Sequence, residues 1–186
     1  MSIQFTSEQL ASLVRDARRS VEPTGEQADH ALALLAVEDV SVASGSAARL
    51  LITAPTRQSV ETVARRIHGS GPRALFPFVI TSAAELPVGP QALREDCARF
   101  LDAAAGGSVL VSAVEEMPAA VQEAFVDLLA GLESARKPSA AVRLISGTTV
   151  SLLDRIAAGS FSERLFYRLN IIHLIAGNGS PAAALN

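Results

Sequence analysis

Two rhythms of apolar residues divide the chain. In "FTSEQLASLVRDARRSV", Leu10, Leu13, Val14 and Ala17 recur at helical period. Thr6 and Gln9 stand at capping-box spacing ahead of them, with Phe5 and Leu10 placed as a hydrophobic staple. "EPTGEQ" breaks that helix, and Thr24 with Gln27 repeats the spacing at the head of a second, Ala/Leu-rich helix reaching about Glu38. The rhythm then changes. Five short apolar runs follow: "RLLIT" (49–53), "FPFVIT" (76–81), "SVLVSAV" (108–114), "AVRLISG" (141–147) and "NIIHLI" (170–175). Helical patterns separate them: Val60, Val63, Ala64 and Ile67; Leu93, Cys97, Phe100 and Leu101; Val121, Phe125, Leu128, Leu129 and Leu132; Leu152, Leu153 and Ile156.

Apolar runs without polar alternation, separated by helices, predict strands buried on both faces of a parallel sheet. The fold class is α/β, a three-layer, doubly wound, mostly parallel five-stranded sheet preceded by N-terminal helices. Residues 1–40 form the helical segment, 41–178 the α/β core and 179–186 a flexible tail. In such a sheet ligands bind in the crevice at the carboxyl ends of the strands. The loops after residues 53, 81, 112 and 147 should converge there.

Composition narrows the functions open to this fold. Hydrophobic residues make up 49% of the 186 and aromatics only 4%, so Ala, Val, Leu and Ile must build the core. Little remains for a platform that stacks single-stranded nucleic acid. The net charge is -3, and Asp16 and Glu22 dilute the cluster of Arg15, Arg18 and Arg19, which argues against direct DNA binding. Cys97 is the single cysteine, so there is neither an internal disulfide nor a multi-thiolate zinc site. A reducing, cytoplasmic location is the economical expectation. No apolar run approaches the roughly 18 to 20 residues that span a bilayer, and the N-terminus lacks a secretory pattern.

The first strand, loop and helix, "LLITAPTRQSVETVARRIH", have the outline of a phosphate-binding unit without its chemistry. A P-loop, G-x-x-x-x-G-K-[ST], needs glycines to turn backbone N–H groups inward, a lysine for the terminal phosphates and a hydroxyl for magnesium. Here Ala54, Ser59, Val60 and Glu61 hold those places, and Pro55 removes one N–H donor. Arg57 is read as a solvated loop charge. The helix N-terminus still leaves weak anion or ATP affinity open. The third strand tells a similar story. Nucleotide hydrolases of this architecture end it in two carboxylates, for magnesium and for the attacking water. This one ends in Ser112 and Ala113, and the later Glu115 and Glu116 read as charges complementing a helix start. His30, His68 and His173 form no recognisable pair with Ser112 or Cys97, and they read as structural.

These segments, with "PFVITSAAELP", "GGSVLVSAVEEMPAAVQ" and "VRLISGTTVSLLDRIAAGSFSERLFYRLNIIHLI", resemble in order and spacing the central AAA+ domain of sigma-54-dependent transcriptional activators. The resemblance covers about residues 26–176 and implies a P-loop NTPase core. It makes Ala54, Ser59, Val60 and Glu61 degenerate Walker A positions and Ser112 and Ala113 degenerate Walker B positions. Thr148 and Thr149 fall on the sensor I motif. Of two arginine fingers the first becomes Ser162 and the second survives as Arg168, an interface candidate. "VGPQALREDCARFLDAAA" is too short for the family's sigma-contacting G-A-F-T-G-A loop, and the chain stops before the family's helical lid and DNA-binding helices.

The resemblance therefore implies a non-catalytic regulator that needs no cofactor or metal. It would act on a protein partner, a sigma-54-dependent activator or another AAA+ subunit, with self-association also open. The alternatives are a residual ATP-binding or ATPase module, and a scaffold or inactive remnant.

Overall fold

The computed structural model describes residues 37–134 and 142–176. The expected helices before residue 37 and the tail after 178 lie outside them. The first described helix, α1 (Val37–Gly45), runs on past Glu38 because Val40 and Ala43 face the core. It crosses residue 40, where the sequence reading divides helical segment from core.

Five strands follow: β1 (Leu50–Thr53), β2 (Phe78–Ser82), β3 (Ser108–Ser112), β4 (Arg143–Thr148) and β5 (Ile172–Ile175). They form one sheet in the order β2-β3-β4-β1-β5, every neighbouring pair parallel. Parallel neighbours need crossovers long enough to return the chain, and helices supply them. These are α2 (Arg57–Ser70), α3 (Pro90–Ala103), α4 (Ala119–Ser134), α5 (Leu152–Ala157) and α6 (Glu163–Leu169).

Side chains alternate along each strand, so the sheet feeds two cores. Leu50 and Ile52 pack with Ala43, Val60, Val63 and Ile67 beneath α1 and α2. Leu51 points the other way, into a larger cluster with Leu93, Val121, Phe125, Leu165 and Leu169 from α3, α4 and α6. Among the described residues the stripes read from periodicity are these buried or half-buried faces, with one exception. Leu153, grouped with Leu152 and Ile156 in the sequence, is exposed, because α5 has only six residues and buries Leu152 instead. The start of β2 also differs from the apolar run. Residues 71–76 turn, with Phe76 N–H donating to the Arg73 carbonyl at 2.9 Å, so pairing begins only after Pro77.

Candidate functional site

The carboxyl ends of β1, β3 and β4 lie side by side, as the sheet order requires, and the loops leaving them form the crevice. After β1 the chain turns within three residues. Ala54 N–H donates to the Thr148 carbonyl at 3.1 Å, which carries β1–β4 pairing one step past the strand. Thr56 then caps α2: its hydroxyl accepts the Ser59 N–H at 3.0 Å and lies 2.8 Å from the Ser59 hydroxyl. Its carbonyl accepts the Val60 N–H at 3.0 Å. Arg57 is therefore the first residue of the helix rather than a loop residue.

Val60 faces inward and is 1% exposed. It lies against Gly147 of β4 so closely that a β-carbon built on Gly147 would stand 2.2 Å from Val60 Cγ1. Ser59 is also buried, while Glu61 is half-exposed and accepts from Arg65 Nε at 2.8 Å within α2.

On the β3 side, Ser112 donates its hydroxyl to the Thr81 carbonyl at 3.3 Å, tying β3 to β2. Ala113 adopts the left-handed conformation, with φ 55° and ψ 44°. For a residue with a β-carbon that backbone costs about 1–2 kcal/mol, and it turns the chain out of the sheet into a short 3-10 turn, Val114–Glu116.

The two glutamates of that turn do more than complement a helix start. Glu115 Oε1 accepts the Thr149 N–H at 3.0 Å and the Thr149 hydroxyl at 2.8 Å. Glu116 pairs with Arg57 across the crevice. Arg57, read from sequence as solvated, is half of this bridge. Thr148 is fully buried and closes a local turn, its hydroxyl donating to the Val150 carbonyl at 3.1 Å. The first-loop positions Ala54, Ser59, Val60 and Glu61 and the third-strand positions Ser112 and Ala113 thus lie with Thr148 and Thr149 along one edge of the sheet.

Arg168 lies apart from that edge, in the last turn of α6, with exposed Tyr167 beside it. Ser162 caps the same helix by accepting the Leu165 N–H at 3.3 Å. Gln122, which no motif singled out, is 3% exposed and holds this region together. Its Nε2 donates to the Met117 and Ser160 carbonyls at 2.8 and 3.2 Å, and its Oε1 accepts the Ser162 N–H at 2.6 Å. A polar residue on the otherwise apolar stripe of α4, between Val121 and Phe125, was the available signal. Among the described residues no group of His, Cys, Asp and Glu could hold a metal ion, and no helix is long and apolar enough to cross a membrane.

An all-parallel five-stranded sheet in this order, covered by helices on both faces and with its loops gathered at the carboxyl edge, places the molecule in the P-loop NTPase class of α/β folds. The P-loop NTPase domain of the sigma-54 transport activator from E. coli superposes with a TM-score of 0.50 at 21% identity, covering 70% of this chain and 97% of that one. The sequence is more specific. Residues 35–178 match the model of the sigma-54 interaction domain, and the chain belongs to that family.

The nitrogen assimilation regulatory protein NtrX of Azorhizobium caulinodans is 32% identical over 141 residues, covering 67% of this chain and 31% of the relative. The crystal structure of NtrX from Brucella abortus in complex with ATP matches with a TM-score of 0.62 at 27% identity, over 90% of this chain and 41% of its own. The chain spans about a third of the length of the curated relatives it matches.

Proposed function

We propose that this chain is a regulatory member of its family that works without nucleotide turnover, through protein–protein contact in sigma-54-linked transcription. The observation that carries this reading is the state of the first loop. Only three residues separate β1 from α2, and they include neither glycine nor lysine. α2 starts at Arg57, Thr56 caps the Ser59 N–H, and Val60 is seated on Gly147.

A magnesium nucleotide finds little of its usual donor set here. The described residues include no lysine, Ser112 and Ala113 offer no carboxylate, Glu116 is paired with Arg57, and Glu115 is held by Thr149 through Oε1, with its Oε2 buried. The Brucella relative is in complex with ATP, and the residues at Ala54, Ser59 and Val60 set this chain apart from that chemistry.

A degenerate subunit keeps the outer faces of its fold. AAA+ domains associate head to tail, so such a copy docks on one face of a ring and presents Arg168 and Tyr167 of α6 to a neighbour. The partner proposed is an intact sigma-54-dependent activator or another AAA+ subunit.

The test has two arms. Mg-ATP at millimolar concentration should leave the melting temperature within experimental error. Affinity-tagged chain, expressed with a sigma-54-dependent activator, should co-purify with it equally well whether or not ATP is present. A saturable ATP-dependent stabilisation accompanied by phosphate release would instead establish a residual ATPase.

A further inference from the structure

A cavity lies on the sheet face turned away from α2, between the sheet and the helices α3 and α4. Thr81 and Val111 are register partners on β2 and β3, so their side chains share that face, and with Val109 they make the floor. Cys97 of α3 and Phe125 of α4 stand at the sides, and all five residues are buried. Phe100, Leu101, Leu128, Val142 and Leu144 also line the space but are only half-buried. The mouth therefore lies among these five, and the deep end is closed by the core.

The size of this space sets it apart from a packing gap. Protein interiors are packed to the density of organic crystals, and voids larger than a water molecule are few. This one measures about 60 Å³. A single water takes about 10–15 Å³ on that measure, so the cavity has room for about four to six heavy atoms.

Water has little to hold it there. The lining offers two polar groups, and the Thr81 hydroxyl already donates to Glu85 Oε2 at 3.4 Å. The other is the Cys97 thiol, a weak hydrogen-bonding group. Burial pushes that thiol up to about 11, so it stays neutral at ordinary pH. A buried water needs about two to four polar partners, and cavities that lack them stay dry and take up apolar solutes. The remaining walls are Val, Leu and Phe, against which a charged ligand would lose its hydration without compensation.

We propose that the cavity between the sheet, α3 and α4 is a binding site for a compact, neutral hydrocarbon of about four to six carbon atoms, seated on Val109 and Val111 and flanked by Cys97 and Phe125. Phe125 stands one turn along α4 from Gln122, so an occupant braces the helix that ties down the start of α6. Neither the first-loop residues nor Thr148 and Thr149 line the cavity, and the inference does not depend on how the crevice is read.

Cyclopentane and xenon are the probes, added to the full chain at fixed pH and ionic strength. Both should raise the melting temperature saturably. Cys97 is the chain's single cysteine, so its reaction with a disulfide reagent reads the cavity wall. Cyclopentane at about ten times its Kd should slow that reaction about tenfold. Cys97→Leu, which fills the space from within, and Leu128→Phe, which plugs the mouth from a half-buried position, should each abolish the melting response. Leu128→Phe decides the matter where Cys97→Leu does not fold. Leu153→Ser, at an exposed position on α5, should leave the response unchanged. The proposal is overturned by a melting temperature that neither probe moves, by an unprotected Cys97, by a full response in Leu128→Phe, or by loss confined to Leu153→Ser, which would put the probe on the outer surface.

Discussion

Val60 and Gly147 are the residues on which the crevice turns, since one fills the space the other vacates. Gly147→Ala would force a new methyl group into Val60 and should cost about 1–3 kcal/mol, as overpacking does. Val60→Ala should cost less in that background than in the parent. A double-mutant cycle read by urea unfolding should therefore return a coupling of at least about 0.5 kcal/mol. His68, buried in the last turn of α2, offers a separate check beside the start of β3. Burial holds its folded pKa below 6.5, so below that pH the unfolded chain gains a proton that the native ring resists. Stability from this group is fully present above pH 6.5 and falls as pH drops toward the folded pKa, by up to about 1.4 kcal/mol per pH unit. Urea midpoints at pH 7.5 and 5.5 should fall further apart in the parent than in His68→Gln.

At the scale of elements, the crevice is closed by contacts of unequal strength. Arg57 and Glu116 are both about half-exposed, so water screens their bridge and Glu116→Ala should cost less than about 1 kcal/mol. Glu115 accepts two hydrogen bonds from Thr149, and its removal strands a backbone donor at the end of β4. Glu115→Ala should cost about 1.5–3 kcal/mol, with guanidinium denaturation ranking the two variants. Neither role was legible in the sequence. Adjacent glutamates before a proline look the same whether they face solvent or bond to a loop 34 residues away. Strand and helix stripes were legible, because Leu50, Leu51 and Ile52, or Val60, Val63 and Ile67, must be apolar wherever the sheet is covered. The true start of β2 was not, since Phe76 is as apolar as Phe78 and only the turn before Pro77 separates them. The length of α2 also escaped notice: Arg57 carries no helix signal, and the capping Thr56 is informative only once its hydroxyl is seen to meet the Ser59 N–H.

For the whole molecule, the sheet order and the two cores follow from features spread over the entire chain, so they tolerate the replacement of any single motif. The crevice residues are a handful of positions, and their arrangement depends on distances between segments far apart in sequence. That contrast explains why the fold could be read from periodicity and family likeness while the contacts across the crevice, the tie through Gln122 and the arginines around His68 could not. Polar partners carry no period, so Arg143 in "VRLISG" reads only as the start of a strand, and its meeting with His68 and Arg73 exists only after three crossovers have been laid down.

The seating of Val60 on Gly147 also limits what either position can hold. A lysine at 60 would carry its charge into a buried spot, and any side chain at 147 would collide with the valine already there. Each residue holds the other in place, so a larger side chain at either position should lower stability unless the other gives way.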